Sequence, residues 1–150
     1  MSELFAYTSC GLQGIFLRNG FDVMETAYGE AISIHNIKGL HSAIGLNLVC
    51  SQATLSEREI RFLRKEMDLS QKHLARILGV GETSVRNWES GRVKISGPAD
   101  KMLRVLYRDS VEKGEVREIL ENLSELNSDA HNDRMELEKT DSGWRAQVAA

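Results

Sequence analysis

The sequence has little of several things, and each shortage excludes something. Among its 150 residues are one proline and two cysteines, and aromatic residues make up 6%. Cys10 and Cys50 lie far apart and belong to no CxxC pair, so neither a disulfide framework nor a zinc ribbon is expected; a reduced, cytoplasmic protein is the expectation. Cys10, His35, His41 and Cys50 are metal-ligating types, but no two of them have the spacing of a zinc site, so no metal and no cofactor is expected. No apolar run approaches the roughly 18 residues that span a bilayer, and the start MSELFAYTSCGLQG lacks the basic segment and apolar core of a secretory signal. Neither GxSxG nor a phosphate-binding glycine loop is present, and Cys10 has no recognisable base, so no enzyme is expected.

What is present is unevenly distributed. The net charge is −3. Residues 1–54 carry 2 Lys/Arg and 4 Asp/Glu, residues 55–110 carry 12 and 8, and residues 111–150 carry 5 and 10. A basic middle within an acidic chain is the footprint expected for a polyanion partner, and is equally what well-solvated helices carry. These divisions define three expected regions: a small α+β region at 1–54 for a partner or dimer contact, a compact helical domain at 55–110, and a C-terminal helix with an acidic tail at 111–150.

In the first region, Gly14–Arg18 is a short apolar run, Asn19-Gly20 is a hairpin-turn signal, and 21–25 and 31–34 alternate apolar and polar. A small antiparallel sheet of two or three strands is expected. Asn36 is placed to cap a helix from Ile37 to about Cys50, with Ile37, Leu40, Ile44 and Leu48 on one face and Gly39 and Gly45 weakening it. Ser56 and Glu59 form a capping box for a helix with Ile60, Leu63 and Met67 inward. Ser70 caps a second helix over 71–78, which Gly79 stops. A third covers 82–89. Pro98 opens a fourth with Met102, Leu103 and Leu106 inward, and a fifth runs from Val111 to about Leu126 with Val116, Ile119, Leu120 and Leu123 on one face. Past Asn127, either a late strand joins the N-terminal sheet or the tail is acidic and disordered.

Residues 71–90 carry the chemistry. Ala75 lets two helices cross closely, Gly79 supplies positive φ, Val80 fills the elbow, and Val85 and Trp88 anchor the second helix to Leu74 and Leu78. Every position has a steric reason in a helix-turn-helix. With Val85 and Trp88 inward, Thr83, Arg86 and Asn87 face outward. Arginine pairs bidentately with guanine and asparagine with adenine, and threonine meets a thymine methyl, so these three are the candidate base contacts. Gln71 and Lys72 stand at a helix N-terminus, Ser84 at the edge of the outward face, and Ser90, Arg92 and Lys94 at and beyond the end of the second helix; these are the candidate phosphate contacts. A solvated loop is the plainer account of Arg92 and Lys94.

The segment SQKHLARILGVGETSVRNWESGRVKI resembles the Xre, or lambda-repressor-like, domain over about residues 56–109. The matching positions are Leu69-Ser70-Gln71, Leu74-Ala75, Leu78-Gly79-Val80, Val85 and Trp88-Glu89-x-Gly91. The resemblance implies a mainly α fold, α+β overall, in which the N-terminal sheet and helix precede a five-helix domain that binds double-stranded DNA, and it points to Gln71 as a phosphate contact. The layout also resembles MqsA-like antitoxins, whose N-terminal part carries paired CxxC zinc motifs that this chain lacks. The expectation is a DNA-binding transcriptional regulator, most simply a repressor that reads inverted repeats as a homodimer. The alternatives are an antitoxin that binds a toxin and represses its own operon, and a protein-interaction module without DNA binding.

Overall fold

The computed structural model describes residues 4–126 and 134–146. Two short strands, β1 (Phe5–Ala6) and β2 (Phe16–Leu17), pair antiparallel, and β3 (Phe21–Thr26) and β4 (Gly29–Ile34) form a separate hairpin with Phe21 opposite Ile34 and Val23 opposite Ile32. Asn19-Gly20 therefore does not close a hairpin. Gly20 has φ +82, but β2 is only two residues long and pairs back to β1, so this turn links two sheets. The hairpin closes at Ala27-Tyr28, where the Thr26 hydroxyl donates to the Gly29 carbonyl (2.8 Å) and accepts from the Tyr28 N–H (3.2 Å).

Helix α1 (Ile37–Ser51) is capped by Asn36, whose side chain accepts from the Gly39 N–H at 3.2 Å. Ile44, Gly45 and Leu48 are buried and Leu40 half-buried, whereas Ile37, read as inward, is exposed at the first turn. Gly45 marks where α1 crosses the fifth helix of the chain: a Cβ there would lie inside the Tyr107 ring.

Helices α2 (Glu57–Glu66), α3 (Gln71–Leu78), α4 (Glu82–Glu89), α5 (Gly97–Ser110) and α6 (Glu115–Ser124) follow. The capping box at α2 is complete: Glu59 Oε1 accepts from the Ser56 N–H (2.8 Å) and Ser56 Oγ from the Glu59 N–H (3.3 Å). Ile60, Leu63 and Met67 are buried as expected, with Phe62 beside them. In α5 the buried stripe is Ala99, Leu103, Leu106 and Tyr107; Met102, one residue from Leu103 and so about 100° around the helix, is exposed. α6 begins four residues later than Val111, because Gly114 takes φ +75 and the Asp109 carboxylate accepts the freed Val116 and Arg117 N–H groups (3.1 and 3.2 Å). Val116 and Leu120 are half-buried, but Ile119 and Leu123, read as inward, are more than half exposed.

The late strand is β5 (Leu137–Thr140). It pairs with β6 (Gly143–Ala146) in a hairpin of its own, not with the N-terminal sheet, because the tail supplies its own partner across the Asp141-Ser142 turn. A disordered acidic tail concerns 127–133 and 147–150, outside the described residues. Among the described residues no helix is long and apolar enough to cross a membrane.

One continuous apolar core runs from Tyr7, Leu12 and Leu17 through Ile44 and Leu48 to Leu63, Leu74, Leu103 and Tyr107. A polar clasp closes its seam. Arg104 holds Asp100 (2.5 Å) and donates to the Gln52 and Val49 carbonyls at the end of α1 (2.5 and 3.3 Å), while Asp100 accepts the buried Leu55 N–H at 2.9 Å.

Candidate nucleic-acid interface

The geometry of the α3–α4 pair follows from its smallest residues. Ala75, nearly fully buried, sits where the two helices approach, and Gly79 turns the chain at φ +73. The Val80 N–H reaches back to the Ala75 carbonyl (2.9 Å) and the Gly79 N–H to that of Arg76 (3.3 Å), so the end of α3 is satisfied by the turn itself. The same device ends α4: Gly91 has φ +76, Arg92 N–H bonds the Asn87 carbonyl (3.0 Å) and Gly91 N–H that of Trp88 (3.3 Å). The loop after α4 is thus fixed at its start, and buried Ile95 holds its far end.

On α4, Val85 and Trp88 are buried, and Trp88 is an anchor as the sequence suggested. Glu89, one turn beyond Val85, is also buried, and sequence reasoning gave it no role beyond the resemblance. Its carboxylate takes a two-pronged hydrogen bond from Arg64 of α2: Nε to Oε2 at 2.7 Å and a terminal nitrogen to Oε1 at 2.8 Å. Arg64 also donates to the Leu69 carbonyl (2.9 Å), Arg61 donates to the Glu89 main-chain carbonyl (2.9 Å), and Gln71 Nε2 lies 3.4 Å from Glu89 Oε1. The end of α4, the flank of α2 and the start of α3 are therefore held by one carboxylate. No single-helix pattern marks the pair: Glu89 and Arg64 each stand four residues after a core position, Val85 and Ile60, but on different helices.

The nine candidate contact residues fall on α3's first turn, on α4 and on the loop that follows it. Thr83 and Arg86 are exposed and Asn87 half-exposed, all on the side of α4 away from Val85. Among the described residues the Thr83 and Asn87 side chains have no partner, whereas Arg86 meets Glu82 at 3.1 Å. Glu82, in the first turn of α4, thus spends its carboxylate on the candidate reading residue. Lys72, Arg92 and Lys94 are exposed and unpaired among the described residues. Ser84 is half-exposed, and the Ser90 hydroxyl donates to the Asn87 carbonyl at 3.2 Å. Gln71, half-buried, is the one candidate that is also part of the Glu89 network.

His35 pairs with Asp22 (2.6 Å), and His41 bridges Tyr7 (2.7 Å) and Glu66 (2.8 Å); Cys10 and Cys50 are free thiols. Burial pushes the Tyr7 and Tyr107 hydroxyls above the ordinary tyrosine range. Behind the interface, α6 is tied to α3 by His73 and Glu121 (2.8 Å), a hydrogen bond that, with Arg117, holds the Glu121 carboxyl below the usual glutamate range.

Comparison with known proteins agrees with this geometry. The family model described as Helix-turn-helix matches residues 60–99, which contain α3, the turn and α4 entire. The "Uncharacterized HTH-type transcriptional regulator YiaG" of Escherichia coli (strain K12) is 39% identical over 59 residues, which is 39% of this chain and 62% of that protein. The protein of the same name in Escherichia coli O157:H7 matches to the same extent. The chain thus spans less than two thirds of the curated relatives it matches. No solved structure matches it.

Proposed function

We propose that this chain is a sequence-specific DNA-binding transcriptional regulator, a repressor, in which α4 lies in the major groove of double-stranded DNA. One observation carries the reading: α4 is pinned along one side by Val85, Trp88 and the Glu89–Arg64 pair, and it turns Thr83, Arg86 and Asn87 outward from the other. A helix fixed at both ends and rigid along its back is what base reading needs, since a bidentate pair tolerates little misplacement. Gln71 and Lys72 at the start of α3, with Arg92 and Lys94 after α4, are the phosphate contacts that set its register. The helix-turn-helix match and the regulator name of the relatives support the same class.

A single module of this kind binds as a pair, over inverted half-sites about 34–36 Å apart. The exposed stripe Ile119, Leu123 and Leu126, on and just beyond α6, supports α6 as the contact between two copies.

The test is binding to duplex DNA from upstream of the chain's own gene and to an unrelated duplex of equal length. Arg86→Ala is expected to cost about 1–3 kcal/mol of discrimination between them. Equal affinity of the unaltered chain for both duplexes would remove the sequence-specific reading.

A further inference from the structure

The geometry points to a second phosphate-binding surface outside the helix-turn-helix: the flank of α2 formed by Arg58, Arg61 and Lys65, facing the loop Ser9–Gly11. This rests on the reading that the chain binds duplex DNA, and it extends the footprint along the backbone beyond the nine residues already named.

The exposed cations of this protein divide into two sets. Arg61, Arg76, Arg86, Arg108, Arg134 and Arg145 each face a carboxylate. Arg18, Lys38, Arg58, Lys65, Lys72, Arg92, Lys94, Lys101 and Lys113 are exposed and, among the described residues, face none. Of these, Lys72, Arg92 and Lys94 are the expected phosphate contacts. Arg58 and Lys65 lie together on α2, with Arg61 between them; positions 58, 61 and 65 fall within about 60° of one another around a helix. Arg61 connects the two surfaces. Its guanidinium donates to the main-chain carbonyl of Glu89, the last residue of α4, so the α2 flank begins where the proposed reading helix ends.

No carboxylate of α2 pairs with Arg58 or Lys65 among the described residues: Glu59 is held in the capping box and Glu66 by His41. The surface is concave, not flat: a hollow of about 310 Å³ lies between Ser9, Cys10 and Gly11 on one side and Arg58, Arg61, Phe62 and Lys65 on the other, with the hydrogen-bonded His41 and Glu66 at its wall. A concave strip of cations, two of them unpaired among the described residues, continuous with a reading helix fits a phosphodiester backbone, which is a line of charges and not a single anion.

The salt dependence of duplex binding decides it. Affinity is measured for the two duplexes above across a salt series, with the unaltered chain, Arg58→Ala/Lys65→Ala, and the charge-keeping Arg58→Lys. Among the described residues neither side chain has a partner, so folding is expected to be unchanged, as far-UV dichroism reports. The double variant is expected to lower the magnitude of the slope of log K against log salt by about two, roughly 0.9 per lost contact, equally for both duplexes. Arg58→Lys is expected to keep the original slope. An unchanged slope in the double variant overturns the proposal while leaving the major-groove reading in place, as does a loss confined to one duplex. No binding of either duplex by the unaltered chain at low salt overturns both.

Discussion

At the scale of the residue, the decisive group is Glu89. A carboxylate with its side chain 1% exposed survives in an apolar setting only because Arg64 meets it with both prongs, and Arg64 is itself only 12% exposed. Burying such a pair gains little net stability over two well-packed apolar residues, but removing one member leaves an uncompensated charge. Glu89→Ala is therefore expected to destabilise the fold by about 3–5 kcal/mol, read from urea unfolding, far more than an exposed substitution such as Glu82→Ala on the same helix. The pair also positions the neighbouring residues. It fixes where Arg86 and Asn87 stand relative to Gln71, because Gln71 leans on the same carboxylate. A loss of under 1 kcal/mol in Glu89→Ala would mean that apolar packing by Val85 and Trp88 alone sets the helix.

At the scale of the element, what the sequence disclosed and what it hid have a common cause. Helix ends were legible because capping is local: Ser56 with Glu59, Ser70 before α3, Gly79 after it and Asn36 before α1 each act within four residues. Which strand pairs with which was not legible, because β2 joins β1 and β5 joins β6 through choices made by the whole chain, and Asn19-Gly20 cannot report them. The outward face of α4 followed from two apolar residues three apart, but the Arg64–Glu89 pair bridges two helices and is invisible to any single-helix pattern. α6 shows the same limit. Its apolar residues share a broad face, yet only Val116 and Leu120 pack inward; Ile119 and Leu123 remain exposed, free to meet a second copy. If α6 is the contact of the proposed dimer, Leu123→Glu is expected to leave the fold intact and halve the mass in sedimentation; a dimer mass kept by the variant would exclude α6 as the contact, and a monomer mass for the unaltered chain would exclude the dimer. α6 also carries an acid-sensitive tie. The His73 hydrogen bond lowers the Glu121 carboxyl below its ordinary 4.5, so the stabilisation is complete above that value and is lost as pH falls through the folded-state value. The gap in urea midpoint between the unaltered chain and Glu121→Gln is expected to close as the pH falls below 4.5.

At the scale of the whole molecule, the N-terminal region and the helical domain share one core, and α1 carries the join. Gly45 lets α1 lie directly on the Tyr107 ring, and Arg104 with Asp100 seals the seam beside it. Glycine inside a helix costs about 1 kcal/mol relative to alanine, so on propensity alone Gly45→Ala would stabilise α1. The added methyl, however, would occupy space already filled by a ring that is 2% exposed, and the ring has nowhere to go. Overpacking of this kind costs about 1–3 kcal/mol, and here it is expected to outweigh the helical gain, giving a net loss in urea unfolding. In a Tyr107→Leu background the obstruction is gone, and the same substitution is expected to be neutral or stabilising, which separates a clash from a general intolerance of change in α1. Because the core is continuous, that loss is also expected to be felt everywhere at once. Far-UV dichroism, which sees all six described helices, and Trp88 fluorescence, read in a Trp144→Phe background so that it sees only the α4 anchor, should shift to the same lower midpoint. A variant in which dichroism moves and Trp88 does not would mean that α1 comes away from a helical domain that stands without it, and the region before residue 55 would then be an attachment to the helix-turn-helix unit, not a part of its core.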